Sequence, residues 1–138
     1  MRVLLDSNVL VSFLIDRHGE QQERAAELLG RAADDEIEAV LHQFVIAELI
    51  YVLTKTYGTP KETVAVAVRD LLSLAGVVVR DQMPWTVVLE LWPDEIGDFT
   101  DACLVAIAES GKIDRVATFD QRLIRRLRAR GLAPHWDG

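Results

Sequence analysis

Short apolar runs alternate with segments of helical period along the whole chain, and this alternation narrows the possible folds more than any other feature. Arg2 to Leu5 reads as a short buried strand, and Ser7 can cap a helix running to about Ile15. Glu20 to Asp34 is polar and helical, with Ala25, Leu28, Leu29 and Ala32 on its apolar stripe. Ala39 to Leu41 is a second strand, and Phe44 to about Tyr57 is a long apolar helix ended by Gly58. Thr59-Pro60-Lys61-Glu62 has the form of a capping box with proline at the first helical position, opening a helix to about Leu74. Gly76 to Val79 is a third strand. Trp85 to Trp92 is helical and stopped by Pro93, and Phe99 to Glu109 is helical and ends at Gly111. Arg115 to Thr118 is a further strand, Gln121 to Arg130 a basic helix, and Leu132 to Trp136 a candidate edge strand. Such alternation predicts βαβ units with right-handed crossovers. The expected fold is α/β, a short, mostly parallel sheet with helices on both faces. Sites in such sheets form beyond the carboxyl ends of the strands, near the point where strand order reverses.

Four acidic residues interrupt this apolar pattern. Asp6 closes Val3-Leu4-Leu5, and Glu48 is the only charge between Phe44 and Leu53. Asp101 is the only charge between Phe99 and Ala108, and Asp120 follows Val116-Ala117-Thr118-Phe119. Taking a lone carboxylate out of water costs several kcal/mol unless something pairs with it, and these segments hold few cations. Asp6 and Asp120 lie just after expected strands, Glu48 and Asp101 in the early turns of helices, so all four can reach one edge of the sheet. Gathered there, they would form a cage for a hard divalent cation. Each also has a plainer reading. Asp6, Asp98 and Asp120 can cap helices, and Glu48 can sit at the edge of an apolar stripe. Between Asp98 and Asp101, Asp101 is the expected ligand and Asp98 the cap or support; Asn8 and Thr118 stand close enough in sequence to assist.

A chain of 138 residues can bury about two-thirds of its unfolded surface in a single core. Half the residues are hydrophobic and 27% charged, which argues against disorder. With 15 Lys+Arg against 22 Asp+Glu the net charge is −7, the wrong sign for a general nucleic-acid binder. It is compatible with a nucleic-acid enzyme whose acidic cleft is neutralised by metal. The single cysteine, Cys103, cannot form an internal disulfide and suits a reducing, cytoplasmic setting. Asp6 interrupts any signal-peptide core, and no uncharged run approaches the ~18 residues of a membrane span. His18, His42 and His135 share no metal-binding spacing and read as packing or surface residues, while Trp85, Trp92 and Trp136 read as core or interface anchors. Arg122, Arg125, Arg126, Arg128 and Arg130 make the last helix basic, either a solvated face or a contact for phosphate.

Taken in order, Leu4-Leu5-Asp6-Ser7-Asn8-Val9-Leu10, Ala47-Glu48-Leu49, Asp98-Phe99-Thr100-Asp101-Ala102 and Ala117-Thr118-Phe119-Asp120 resemble the motifs of the PIN-domain nucleases. In size the chain is most similar to the VapC-type toxins of toxin–antitoxin pairs. The resemblance implies one PIN-like three-layer domain over residues 1–138, with Asp6, Glu48, Asp101 and Asp120 as metal ligands and catalytic residues. It further implies Mg²⁺- or Mn²⁺-dependent cleavage of RNA, frequent homodimers and neutralisation by a small antitoxin. In chemical terms, clustered carboxylates repel phosphate until a hard cation binds, and a metal-held water of lowered pKa can then attack the phosphodiester. Arg122 and Arg126, spaced i to i+4, would contact the RNA backbone or the antitoxin.

Three other readings compete. A PIN-domain nuclease could serve RNA processing instead of toxicity. An aspartate-nucleophile phosphatase would use Asp6 but expects an acid at position 8, where Asn8 stands, and gives Glu48 no task. A non-catalytic binding module would have no reason to keep four costly charges.

Overall fold

The structure, a computed structural model, describes residues 1–137. Four strands form its sheet: β1 (Arg2–Leu5), β2 (Glu38–His42), β3 (Val77–Arg80) and β4 (Arg115–Ala117). All pairs are parallel and the spatial order is β3-β2-β1-β4. In register, Leu4 stands between Val40 of β2 and Val116 of β4. The two central strands are almost wholly buried, as a parallel sheet covered on both faces requires.

The connections are helical: α1 (Ser7–Leu14), α2 (Gly19–Ala33), α3 (Gln43–Tyr51), α4 (Lys61–Leu72), α5 (Trp85–Leu91), α6 (Phe99–Ser110) and α7 (Gln121–Ala129). From β1 through β2 to β3 the chain steps one way across the sheet; it then returns past β1 to lay down β4 on the other side. Right-handed crossovers put α1 to α4 on one face and α5 and α6 on the other. Packing agrees, since α1 touches α2 and α3 while α5 touches α6. Strand order therefore reverses between β1 and β4. Helix α6 is buried from Asp101 to Ala108, apolar nearly all round, and forms much of the core with Leu4, Leu5, Leu41 and Leu49. No helix among the described residues is long and apolar enough to cross a membrane.

Several local expectations need correction. Asp6, not Ser7, occupies the N-cap position of α1, and Ser7 is its first helical residue. The apolar helix expected to Tyr57 is α-helical only to Tyr51; Val52–Thr56 continue as a wider π turn, closed by Tyr57 N–H donating to Val52 O at 3.1 Å. Thr59 makes no capping box. Its N–H donates to Leu53 O at 2.9 Å, closing that turn, and Pro60 becomes the N-cap of α4. Leu132 to Trp136 is no strand: it meets β4 at one bridge, Val116 with Pro134, made by Val116 N–H donating to Ala133 O at 2.9 Å and His135 N–H donating to Val116 O at 2.8 Å. Gly58 ends the helical segment at φ +64, as expected. Gly76 is needed for a different reason. A Cβ there would stand 2.4 Å from Ile37 O and 2.5 Å from Ala32 O, so the α2–β2 turn can approach β3 only over glycine.

Candidate active site

The reversal of strand order brings the chain just after β1 against the chain just after β4. Asp6 N–H donates to Ala117 O at 2.9 Å, extending the ladder by one bond. The Asp6 side chain does not cap α1. Instead Asp6 Oδ2 accepts from Thr118 Oγ1 at 2.8 Å and from Asn8 Nδ2 at 3.3 Å. Thr118 Oγ1 in turn accepts from Asn8 Nδ2 at 3.2 Å and from Asp120 N–H at 3.1 Å, so its one proton and both lone pairs are used. Asn8 Oδ1 accepts from Phe119 N–H at 3.2 Å. These three side chains lock the two loops together, with Asp6 held at the seam.

Glu48 reaches this seam from the second turn of α3, where its carboxylate accepts a hydrogen bond from Ser7 Oγ. Ser7 thus positions Glu48, a role that sequence reasoning missed. Its only signal was its place between Asp6 and Asn8. The start of α3 is held by His42, whose Nδ1 accepts from Phe44 N–H at 3.2 Å while Nε2 lies 2.9 Å from Gln82 O. His18 caps α2 in the same manner, taking Gln21 N–H at 3.2 Å. Two of the three histidines are therefore helix caps.

Asp101 enters from the first turn of α6. Asp98, exposed, caps that helix, its Oδ1 accepting from Asp101 N–H at 2.9 Å. Asp120 caps α7, accepting from Arg122 N–H at 2.9 Å. Asp6 and Asp101 are only 7% and 6% exposed. Burial is the main force pushing each carboxyl up to about 6. The charges of Glu48 and Asp101 add to it at Asp6, against the Thr118 bond; those of Asp98 and Asp120 add to it at Asp101, against Arg126 and Arg122. Glu48, Asp98 and Asp120 thus share one electrostatic neighbourhood with Asp6 and Asp101, five acids in all. The cation nearest to it is Arg126, whose Nε stands 3.7 Å from Asp101 Oδ2, too long for a hydrogen bond, and is buried with no partner.

Among the described residues, no three Asp, Glu, His or Cys side chains are already drawn to metal-binding spacing. The chemistry of the donors nonetheless fits a hard divalent cation. They are carboxylate oxygens alone, two of the carboxylates buried, with Arg126 the one cation paired to either, and His42 is committed to its cap.

A doubly covered parallel sheet with acids gathered at its switch point defines a small α/β enzyme-like class. The model of the PIN domain matches residues 3–129, and the chain belongs to that family. Among solved structures, it is similar to VapC20 of Mycobacterium tuberculosis, described as a toxin that cleaves the sarcin–ricin loop. The TM-score is 0.68 at 16% identity, over 95% of this chain and 96% of that one. At that identity the likeness is one of fold. No curated protein matches the sequence.

Proposed function

We propose that this protein is a divalent-metal-dependent endoribonuclease acting as the toxin of a toxin–antitoxin pair from a single PIN-like domain in the cytoplasm. The observation that carries the reading is the pairing of two buried carboxylates, Asp6 and Asp101, in one field with Glu48 and no lysine or arginine close enough to hydrogen-bond either. A buried like-charge pair is costly to keep unless a cation or a proton relieves it. The toxin assignment draws on family membership and on the likeness to VapC20.

Asp6, Glu48 and Asp101 would hold the cation, Mg²⁺ or Mn²⁺, with Asp120 completing the set. When bound, such an ion neutralises phosphate charge and supplies a water of lowered pKa. The chain's own residues do the rest. Thr118 and Asn8 fix the rotamer of Asp6, Ser7 fixes Glu48, and Asp98 orients the first turn of α6 and with it Asp101. Arg126 and Arg122 approach Asp101 from α7 and would take up backbone phosphate, or an acidic segment of the antitoxin. A homodimer is the expected assembly.

Controlled expression followed by mapping of cleavage ends on cellular RNA tests the reading. Discrete new ends and growth arrest are expected with the wild type, and neither with Asp6→Asn. Growth arrest without any RNA cleavage would overturn it.

A further inference from the structure

We propose that the cavity between α3, α5 and the start of α6 is a nucleobase subsite, which holds one unpaired base of the RNA beside the bond to be cut. This inference rests on the ribonuclease reading above and deepens it.

The cavity measures about 440 Å³, within the roughly 300–1,000 Å³ of small-molecule sites. It lies beside the acidic seam: none of the four acids lines it, but Ala47 and Thr100 do, and each directly precedes a proposed ligand, Glu48 and Asp101. Its outer wall is aromatic. Trp85 is 55% and Phe99 42% exposed, and their rings lie 6.3 Å apart at an interplanar angle of 19°. Phe99 is braced from behind by Trp92, edge-on at 5.3 Å, whose own Nε1 is tied to Gly97 O at 3.2 Å. Two large aromatic rings, stacked on each other and about half exposed, give a platform on which a splayed base can stack, because every base has a stacking face. Gln43 and Thr100 offer hydrogen-bonding groups to a base edge.

Charge fixes which part of a nucleotide fits. No lysine or arginine lines the cavity and Asp81 does, so a phosphate is disfavoured there. The cations lie elsewhere, on α7, where Arg126 and Arg122 act on Asp101. A strand crossing the seam would therefore keep its phosphates towards α7 and turn one base towards Trp85. A second copy of the chain or a protein partner could also cover these rings, but would need only apolar area, not a flat stacking face.

The ring chemistry separates these occupants. In an Asp6→Asn background, which prevents turnover, a short single-stranded oligoribonucleotide should quench tryptophan fluorescence. Trp85→Phe should remove that quench yet keep RNA affinity, read by anisotropy of labelled RNA, within about twofold. Trp85→Leu, which keeps apolar bulk but loses the ring, should weaken affinity roughly tenfold, and Phe99→Leu should behave alike while the far-ultraviolet spectrum stays unchanged. The proposal is overturned if Trp85→Leu binds RNA as tightly as its parent, if the quench survives replacement of Trp85, or if Trp85→Leu alters only the sedimentation of the protein. Should wild type cleave no RNA while the quench and the tenfold loss persist, the nuclease reading fails and the subsite stands.

Discussion

Asp6 is held by Thr118 and Asn8 against burial and against the charges of Glu48 and Asp101, and the balance favours its protonated form up to about pH 6. Lifting a carboxyl from 3.8 to about 6 corresponds to roughly 3 kcal/mol. Because the folded state then holds its proton more tightly than the unfolded chain, this contribution favours folding below about pH 4. It is lost as pH rises through about 6. In chelator, the melting temperature of Asp6→Asn relative to wild type should therefore climb between pH 4 and 6.5, and saturating Mn²⁺ at pH 7.5 should stabilise only the wild type. An unchanged difference across that range, followed by differential scanning, would contradict the charge crowding. Thr118→Val keeps volume but strips partners from Asp6, Asn8 and Asp120 N–H at once. It should cost about 1–3 kcal/mol in urea denaturation and lower kcat at least tenfold with little change in KM. At this scale the unusual placement of the acids was legible, since a charge in an apolar run demands a reason, and Thr118 was close enough in sequence to be weighed with them. Ser7 was not, because a hydroxyl after a strand has a ready bland use in capping, and its partner lies 41 positions away.

Among elements, α7 carries the clearest test. Two of its four arginines are drawn into ion pairs, Arg126 with Asp101 and Arg128 with Asp137, as is Arg130 just past its end, with Glu95 and Glu109. Arg122 and Arg125 have no such carboxylate among the described residues, so a basic helix is neither a uniform solvated face nor a uniform contact surface. Replacing Arg122 and Arg126 with Gln should weaken RNA binding and flatten the log–log salt dependence by roughly one to one and a half, with metal affinity kept. Binding isotherms that superimpose on wild type across the salt series would reduce α7 to a solvated face. Gly76→Ala belongs to the same scale. Its new Cβ must part the α2–β2 turn from β3, for a loss of about 1–3 kcal/mol read as a lower urea midpoint, while specific activity of the folded protein is retained. Strands and helices were readable from periodicity almost throughout. What failed were features set by tertiary contacts. The π turn of Val52–Thr56 and the use of Thr59 N–H to close it override a good capping sequence, and two histidines cap helices where no propensity favours them.

For the molecule as a whole, one topological fact arranges everything else: strand order reverses between β1 and β4, and the loops at that seam meet the starts of α3, α6 and α7. That reversal was expected from βαβ alternation, but which strands flanked it was not, because pairing order depends on crossovers that local sequence does not encode. The exposure of Trp85 and Phe99 was likewise hidden, since tryptophans in an apolar context read as anchors until packing leaves them uncovered. The central claim is that Asp6, Glu48, Asp101 and Asp120 serve one cation. A crystal grown with Mn²⁺ and measured at the manganese absorption edge tests it most directly. The account predicts an anomalous peak bound by Asp6 and Asp101, with Glu48 and Asp120 reaching it directly or through water. No peak at saturating Mn²⁺, or a peak away from the β1–β4 seam with Glu48 turned from Asp6 and Asp101, would contradict it.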